Sequence, residues 1–295
     1  KCSKLHCELV DAHGHQLVFQ PKCADICKIE RYKTRATSQL LVAGDLKTWK
    51  KPEDVGRVTE IAWDIKVQKD SSGQEVAYKA SYIGNHYATN AVVTVLFEQS
   101  TDGFTWSPVG EKAEVYTGGI SEVSFAFTAQ GDLVAVGRNE DGDRTGFGSQ
   151  LFFARAGDLG HWQHLPVSMP QRFDFPRMMR MAGDELLLFA RYARQSFAMV
   201  PSWMPMELQR IGNILLYSCL PKGGAVYRIV PPDAKGDTGF FSLTKPPGGA
   251  EDEWVIANYS STCHSHAPWI YGQVFATDIF VCHCRTSKKN NRAWL

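Results

Sequence analysis

Ala43-Gly44-Asp45-Leu46-Lys47-Thr48-Trp49, Ser100-Thr101-Asp102-Gly103-Phe104-Thr105-Trp106 and Ala156-Gly157-Asp158-Leu159-Gly160-His161-Trp162 are three versions of one turn, each with an aspartate four residues before a tryptophan. Successive tryptophans stand 57 and 56 residues apart. An Asp in a tight turn accepts hydrogen bonds from backbone N–H groups ahead of it, and a Trp fills a gap between packed sheets. A motif kept at one period marks an array of similar units.

A second repeat runs out of phase with the first. Apolar segments that alternate with period two flank glycine turns: Leu5–Val10 and Gln16–Phe19, Thr59–Val67 and Glu75–Tyr82, Glu122–Thr128 and Leu133–Arg138, Met178–Met181 and Leu186–Arg191, Phe240–Thr244 and Trp254–Tyr259. That pattern predicts β-hairpins. The turn glycines at 14, 73, 131, 183 and 248 are spaced by 59, 58, 52 and 65 residues. Third strands are expected at Thr37–Val42, Ala91–Glu98, Gln150–Arg155, Asn213–Cys219 and Asp278–Cys284, each after a longer connection. A fourth strand follows each Asp turn. Four antiparallel strands per period, repeated five times, predict an all-β, five-bladed β-propeller in a single domain, 1–295. Its blades would run over roughly 1–55, 56–115, 116–170, 171–232 and 233–295.

The three Asp/Trp turns resemble the Asp-box (BNR) repeats of the sialidase-like propeller superfamily, in a variant one residue shorter between Asp and Trp than the commonest form. Ser121-Glu122-Val123, Gly131-Asp132-Leu133 and Gly137-Arg138-Asn139-Glu140 are together similar to that superfamily's acid–strand–turn–strand–Arg segment. Phe175-Pro176-Arg177, Gly183-Asp184 and Ala190-Arg191 repeat the theme, and Asp237-Thr238-Gly239-Phe240 does so more weakly. The likeness spans most of Gly44 to Ile279. It implies a propeller whose chemistry sits in the central channel, as a sialidase-like glycoside hydrolase. Fold alone does not select a chemistry.

The first strand of a propeller blade lines the channel, and acids stand at or near the starts of those strands: Glu60 and Asp64, Glu122, Asp174 and Asp237. Like charges brought close push one another's pKa apart, which sorts carboxyls into acid and base roles. Asp64, Glu122, Asp174 and Asp237 are therefore the candidate catalytic acids. Sialidases clamp a substrate carboxylate with an arginine triad, and the resemblance carries that role to Arg138, Arg177 and Arg191, with Arg35 a weaker fourth. The chain departs from the sialidase pattern in two places. Arg35-Ala36-Thr37 stands where sialidases have Arg-Ile-Pro, and Phe240-Phe241-Ser242 lacks the tyrosine nucleophile. Tyr259 is the alternative hydroxyl and a candidate substrate contact. A two-carboxylate glycosidase needs only paired acids and a channel.

Two other functions fit the same residues. A non-catalytic glycan- or ligand-binding propeller needs the pocket but no acid/base pair. Arg194–Leu208 is a methionine-rich apolar loop with Phe197, Met199, Trp203, Met204 and Met206. Such a loop packs as adaptable filler, or covers an apolar ligand in a cofactor-independent, oxygenase-type enzyme acting on aromatic molecules.

Composition bounds the partners. The 295 residues carry 32 Lys+Arg against 31 Asp+Glu, a formal net charge of +1, which favours neither nucleic acid nor an anionic membrane. No apolar run reaches the ~18 residues of a membrane span. A small-molecule or glycan ligand, a monomer and no cofactor are expected. Eight cysteines, an even number, and the glycosylation acceptor Asn258-Tyr259-Ser260 suggest a secreted, disulfide-bonded chain. Cys263-His264-Ser265-His266 and Cys282-His283-Cys284 have ligand-like spacing, but along a strand the two cysteines share a face that His283 does not, so no metal site is expected.

Overall fold

The computed structural model describes residues 53–70, 72–84, 92–170, 172–180, 238–246, 248–250 and 253–260, and the strands at 7–10, 16–21, 38–43, 185–193, 212–218, 226–228 and 278–285. All regular elements among these residues are strands, and their pairings are antiparallel. Two compact units are distinguished, Lys1–Ser121 and Glu122–Leu295.

In the first unit, β1 (Cys7–Val10), β2 (Gln16–Pro21), β3 (Ser38–Ala43) and β4 (Glu53–Val55) form a sheet in sequence order. A second sheet takes β5 (Ile61–Lys69), β6 (Glu75–Gly84), β7 (Val93–Ser100) and β8 (Ser107–Pro108) in the same order. It also holds a strand that the fourfold repeat did not predict, β9 (Glu114–Gly118). Strand β8 covers only Glu98 and Gln99 of β7, and β9 pairs with the rest, from Val93 to Leu96. An apolar edge left open invites pairing with another chain, and β9 closes it.

The second unit contains β10 (Ser121–Phe127, which starts at the boundary), β11 (Leu133–Asp143), β12 (Gly146–Ala154) and β13 (Gln163–His164) in one sheet. The next sheet is β14 (Arg172–Arg180), β15 (Glu185–Ala193), β16 (Gly212–Ser218) and β17 (Val226–Arg228). The last has β18 (Thr238–Thr244), β19 (Glu253–Ser260) and β20 (Asp278–Arg285) among the described residues. All five expected hairpins and all five expected third strands are present.

Two hairpin turns show why glycine recurs. Gly73 donates to the Asp70 carbonyl at 3.0 Å, and Gly131 donates to the Thr128 carbonyl at 3.0 Å. Both glycines have φ of +85°, the left-handed conformation that ends a three-residue hairpin loop and penalises any side chain. The Asp102 turn also forms as expected: its Oδ1 accepts the N–H groups of Thr105 at 2.7 Å and Phe104 at 2.8 Å. Those donors and the Ser100 hydroxyl lower the Asp102 pKa to about 2. In the third turn the Asp158 carboxylate pairs instead with His161 Nδ1 at 2.5 Å. Trp162 is buried against Phe152, centroids 5.4 Å apart, whereas Trp106 is only half-buried. Trp49 lies outside the described residues.

Three boundaries differ from those expected by more than two residues. Strand β14 starts at Arg172 instead of Met178, because a bulge lets it accommodate Pro176. Asp174 pairs with Arg191 and Arg177 with Phe189, so Phe175 and Pro176 together oppose Ala190. Proline has no N–H for the ladder, and a bulge removes the need for one. Strand β11 runs on to Asp143, and β12 correspondingly begins at Gly146 instead of Gln150. The connection is a tight turn in which the Asp143 carboxylate accepts the Thr145 N–H at 2.8 Å and its hydroxyl at 2.6 Å.

The β10–β13 and β14–β17 sheets pack through Ala126, Val136, Phe173, Met178, Leu186, Leu188 and Ala190. Polar groups stitch the same seam: Ser124 Oγ accepts the Met178 N–H, and Ser149 Oγ accepts the Phe173 N–H, both at 2.8 Å. All seven residues of β10 are buried. An acid on this strand is therefore removed from water and requires partners.

Candidate functional site

That acid is Glu122. It occupies the second position of β10 with φ of +53°, a left-handed conformation uncommon for a side chain of its size. Its Oε1 meets Arg138 Nη1 at 2.7 Å, and its Oε2 accepts the Phe175 N–H at 2.9 Å. The bulge in β14 takes Phe175 off the ladder, and Glu122 receives the released N–H. Phe175 has the same φ, +53°, and its ring lies 6.0 Å from the Arg138 guanidinium.

Arg138 is the hub. Its Nε lies 2.7 Å from Asp174 Oδ1, and its Nη2 pairs with Glu140 Oε2. Arg172 closes the circuit, with Nε 2.8 Å from Asp174 Oδ1 and Nη2 2.6 Å from Glu140 Oε1. Among the described residues, three carboxylates and two guanidiniums thus share one network. Side-chain exposure falls from 26% at Arg172 and 23% at Glu140 to 5% at Arg138, 4% at Glu122 and 0% at Asp174. Solvent meets the network at Glu140 and Arg172, and Asp174 is its deepest member. A buried carboxylate is tolerated only when its oxygens are bonded in this way.

The structure brings together Glu122, Asp174 and Arg138 of the residues expected from the sequence. Arg177 is half-buried and its Nη1 donates to the Pro176 carbonyl at 3.3 Å. Arg191 is the backbone partner of Asp174 in the β14–β15 ladder, and Tyr259 pairs with Gly239 and Ile279; their side chains lie outside the described residues. Asp237, Arg35, the Arg194–Leu208 loop and Cys263–His266 also lie outside them, as do the cysteine side chains and that of His283 in β20. Glu140 and Arg172 had not been singled out. Each is two residues from a candidate on its own strand, Arg138 or Asp174, and so on the same face of that strand.

Asp64 belongs to the first unit. It is buried beside a β5 bulge in which Trp63 has no opposite residue, and Lys66 Nζ lies 2.9 Å from its Oδ1. A second buried network surrounds Lys79 in the same sheet. The ammonium, 2% exposed, lies 2.6 Å from Glu60 Oε1 and 2.9 Å from Glu98 Oε2, with the Trp106 ring centroid at 4.8 Å. Arg57 Nη2 reaches Glu98 Oε1 at 2.9 Å from the solvent side. Burial pushes the Glu60 pKa up, but the charge and hydrogen bond of Lys79, with bonds from Ser81 and the Arg57 N–H, outweigh it and leave it below its ordinary value. Among the described residues no group of three or more His, Cys, Asp or Glu side chains is arranged to hold a metal ion. No described helix is long and apolar enough to cross a membrane.

No protein-family model and no curated protein sequence matches the chain. Solved structures do match it. A protein of unknown function from Dyadobacter fermentans DSM 18053 aligns over 96% of this chain and 76% of its own, with 14% identity and a TM-score of 0.61. An endo-arabinase from Bacteroides thetaiotaomicron VPI-5482 aligns over 99% and 97%, with 11% identity and a TM-score of 0.56. The Penicillium chrysogenum α-L-arabinanase complexed with arabinobiose aligns over 90% and 80%, with 13% identity and a TM-score of 0.53. At such identities the likeness shows the fold alone: antiparallel β-sheets of the kind found in these propeller structures.

Proposed function

We propose that this chain is a glycan-acting hydrolase built on a five-bladed propeller, with Glu122 and Asp174 as its principal carboxyls. One observation carries the proposal. Two buried acids from the first strands of successive sheets, β10 and β14, are bound to the same guanidinium, Arg138. Glycoside hydrolysis needs one carboxyl to protonate the leaving oxygen and a second to act as base or nucleophile. A shared arginine fixes both carboxyls against one rigid group, which supplies the positioning that such chemistry requires. The structural neighbours include enzymes named for arabinan, which favours neutral pentose glycans as substrates over sialic acids. Asp64 and Asp237 would complete the set if the sheets close into one ring. The Asp turns would then be Asp-box repeats on its outer side.

A panel of chromogenic glycosides tests the proposal, with α-L-arabinofuranoside, β-D-xyloside and sialoside members. Turnover of a pentoside supports it, and inactivity on every member with an intact fold opposes it. The second reading, a glycan-binding propeller without catalysis, is favoured by one feature: both Glu122 oxygens already hold partners, Arg138 and the Phe175 N–H. Binding of arabinobiose without turnover would select it. Secretion is proposed on the eight cysteines, and intact mass after alkylation without reductant tests it, most thiols being protected if the chain is disulfide-bonded.

A further inference from the structure

We propose that Glu140 is a built-in carboxylate that occupies a two-arginine clamp and thereby restricts the site to uncharged sugars. This rests on the glycan-directed function above and assigns its preference for neutral sugars to one residue. The Glu140 carboxylate places Oε1 on Arg172 Nη2 at 2.6 Å and Oε2 on Arg138 Nη2. One carboxylate with each oxygen on a different guanidinium is how a pair of arginines would hold the carboxylate of an acidic sugar. Here the protein's own side chain fills that position. Glu140 and Arg172 are also the most exposed members of the network, so an incoming ligand meets this pair before it meets Glu122 or Asp174. An acidic sugar would bring its negative charge to a position already held by the Glu140 carboxylate, and find Arg138 Nη2 and Arg172 Nη2 occupied. A neutral sugar loses nothing by this arrangement. Glu140 thus acts by repulsion and occupancy, a common way of building specificity.

Isothermal titration calorimetry of galacturonate, with arabinobiose as the neutral sugar, tests this on the wild type, Glu140→Gln, Glu140→Ala and the double variant Glu140→Ala/Arg172→Ala. Removing Glu140 uncovers Nη2 of both Arg138 and Arg172 and takes one negative charge from the cluster. Galacturonate should then bind Glu140→Ala about tenfold to a hundredfold more tightly than the wild type, the range of a charge-assisted contact. Adding Arg172→Ala should abolish the gain. Glu140→Gln, which keeps the side-chain shape, should gain in the same direction and serves if Glu140→Ala does not fold. The clamp is wrong if the wild type binds galacturonate as tightly as the variants, if no variant binds it, or if the gain survives Arg172→Ala. Failure of all proteins to bind arabinobiose, with the galacturonate gain intact, would oppose the glycan-hydrolase function and leave the clamp standing.

Discussion

Glu122 and Phe175 share a backbone conformation, φ of +53°, and a hydrogen bond, from the Phe175 N–H to Glu122 Oε2 at 2.9 Å. Each stands near the start of the first strand of its sheet. A left-handed residue other than glycine costs on the order of 1 kcal/mol or more, so two in contact indicate that the surrounding structure holds them there. The hold is visible. The β14 bulge releases the Phe175 N–H, Glu122 accepts it, and Arg138 anchors the other Glu122 oxygen.

Glu122→Ala removes one of three carboxylates from a buried guanidinium and the acceptor of the buried Phe175 N–H, and should destabilise the protein by about 1–3 kcal/mol. Glu122→Gln keeps the shape and an acceptor, and should cost clearly less. Urea denaturation of the two variants checks the order. Equal costs would mean that the charge at this position contributes nothing.

Lys79→Ala takes the ammonium from two buried carboxylates, of which Glu98 keeps Arg57, and should cost about 3–5 kcal/mol at neutral pH. The pH dependence should change sign as well. In the wild type the Glu60 pKa is lowered, so its contribution is present above the ordinary value of 4.5 and lost as pH falls. Without the ammonium, burial dominates and the carboxyl pKa rises. The variant should therefore gain stability relative to the wild type on acidification, read from denaturation at neutral and mildly acidic pH.

Asp102 titrates at about 2 against an ordinary 3.8, because the Thr105 and Phe104 N–H groups bond its charged form. Its support of the turn is present above 3.8 and fades as pH falls toward 2. The protection of the Phe104 and Thr105 amides from exchange, taken relative to the intrinsic rate at each pH, should fall across that window, and Asp102→Asn should remove this pH response.

Trp162→Ala should cost about 3–5 kcal/mol, the range for a large buried aromatic. Trp106→Ala removes a half-buried ring and should cost less through packing alone, with an added loss from the face that Lys79 contacts. Thermal unfolding of the pair measures the difference.

The strands were legible because period-two alternation and left-handed turn glycines are local signals, and both act within a few residues. The start of β14 was not, since Pro176 inside a strand becomes readable only when the bulge opposite Ala190 is known. Glu122, Arg138 and Asp174 were found as acids and arginines near the strand starts and ends. Glu140 and Arg172 were missed although the i±2 rule on a strand pairs each with one of them. What no local rule gives is the division of the acids between sheets: Asp64 and Glu122 occupy similar sequence positions, but Asp64 meets a lysine on its own strand and Glu122 an arginine on the next.

The central claim is that Glu122 and Asp174 act as a catalytic pair. The most direct measurement is turnover of an aryl α-L-arabinofuranoside, or of whichever glycoside the wild type accepts, by Glu122→Gln and Asp174→Asn, with arabinobiose binding measured in parallel. The account predicts that each variant folds, retains binding, and loses about 10²–10⁴ in kcat, the contribution of general acid–base catalysis. Near wild-type kcat in both folded variants would contradict it.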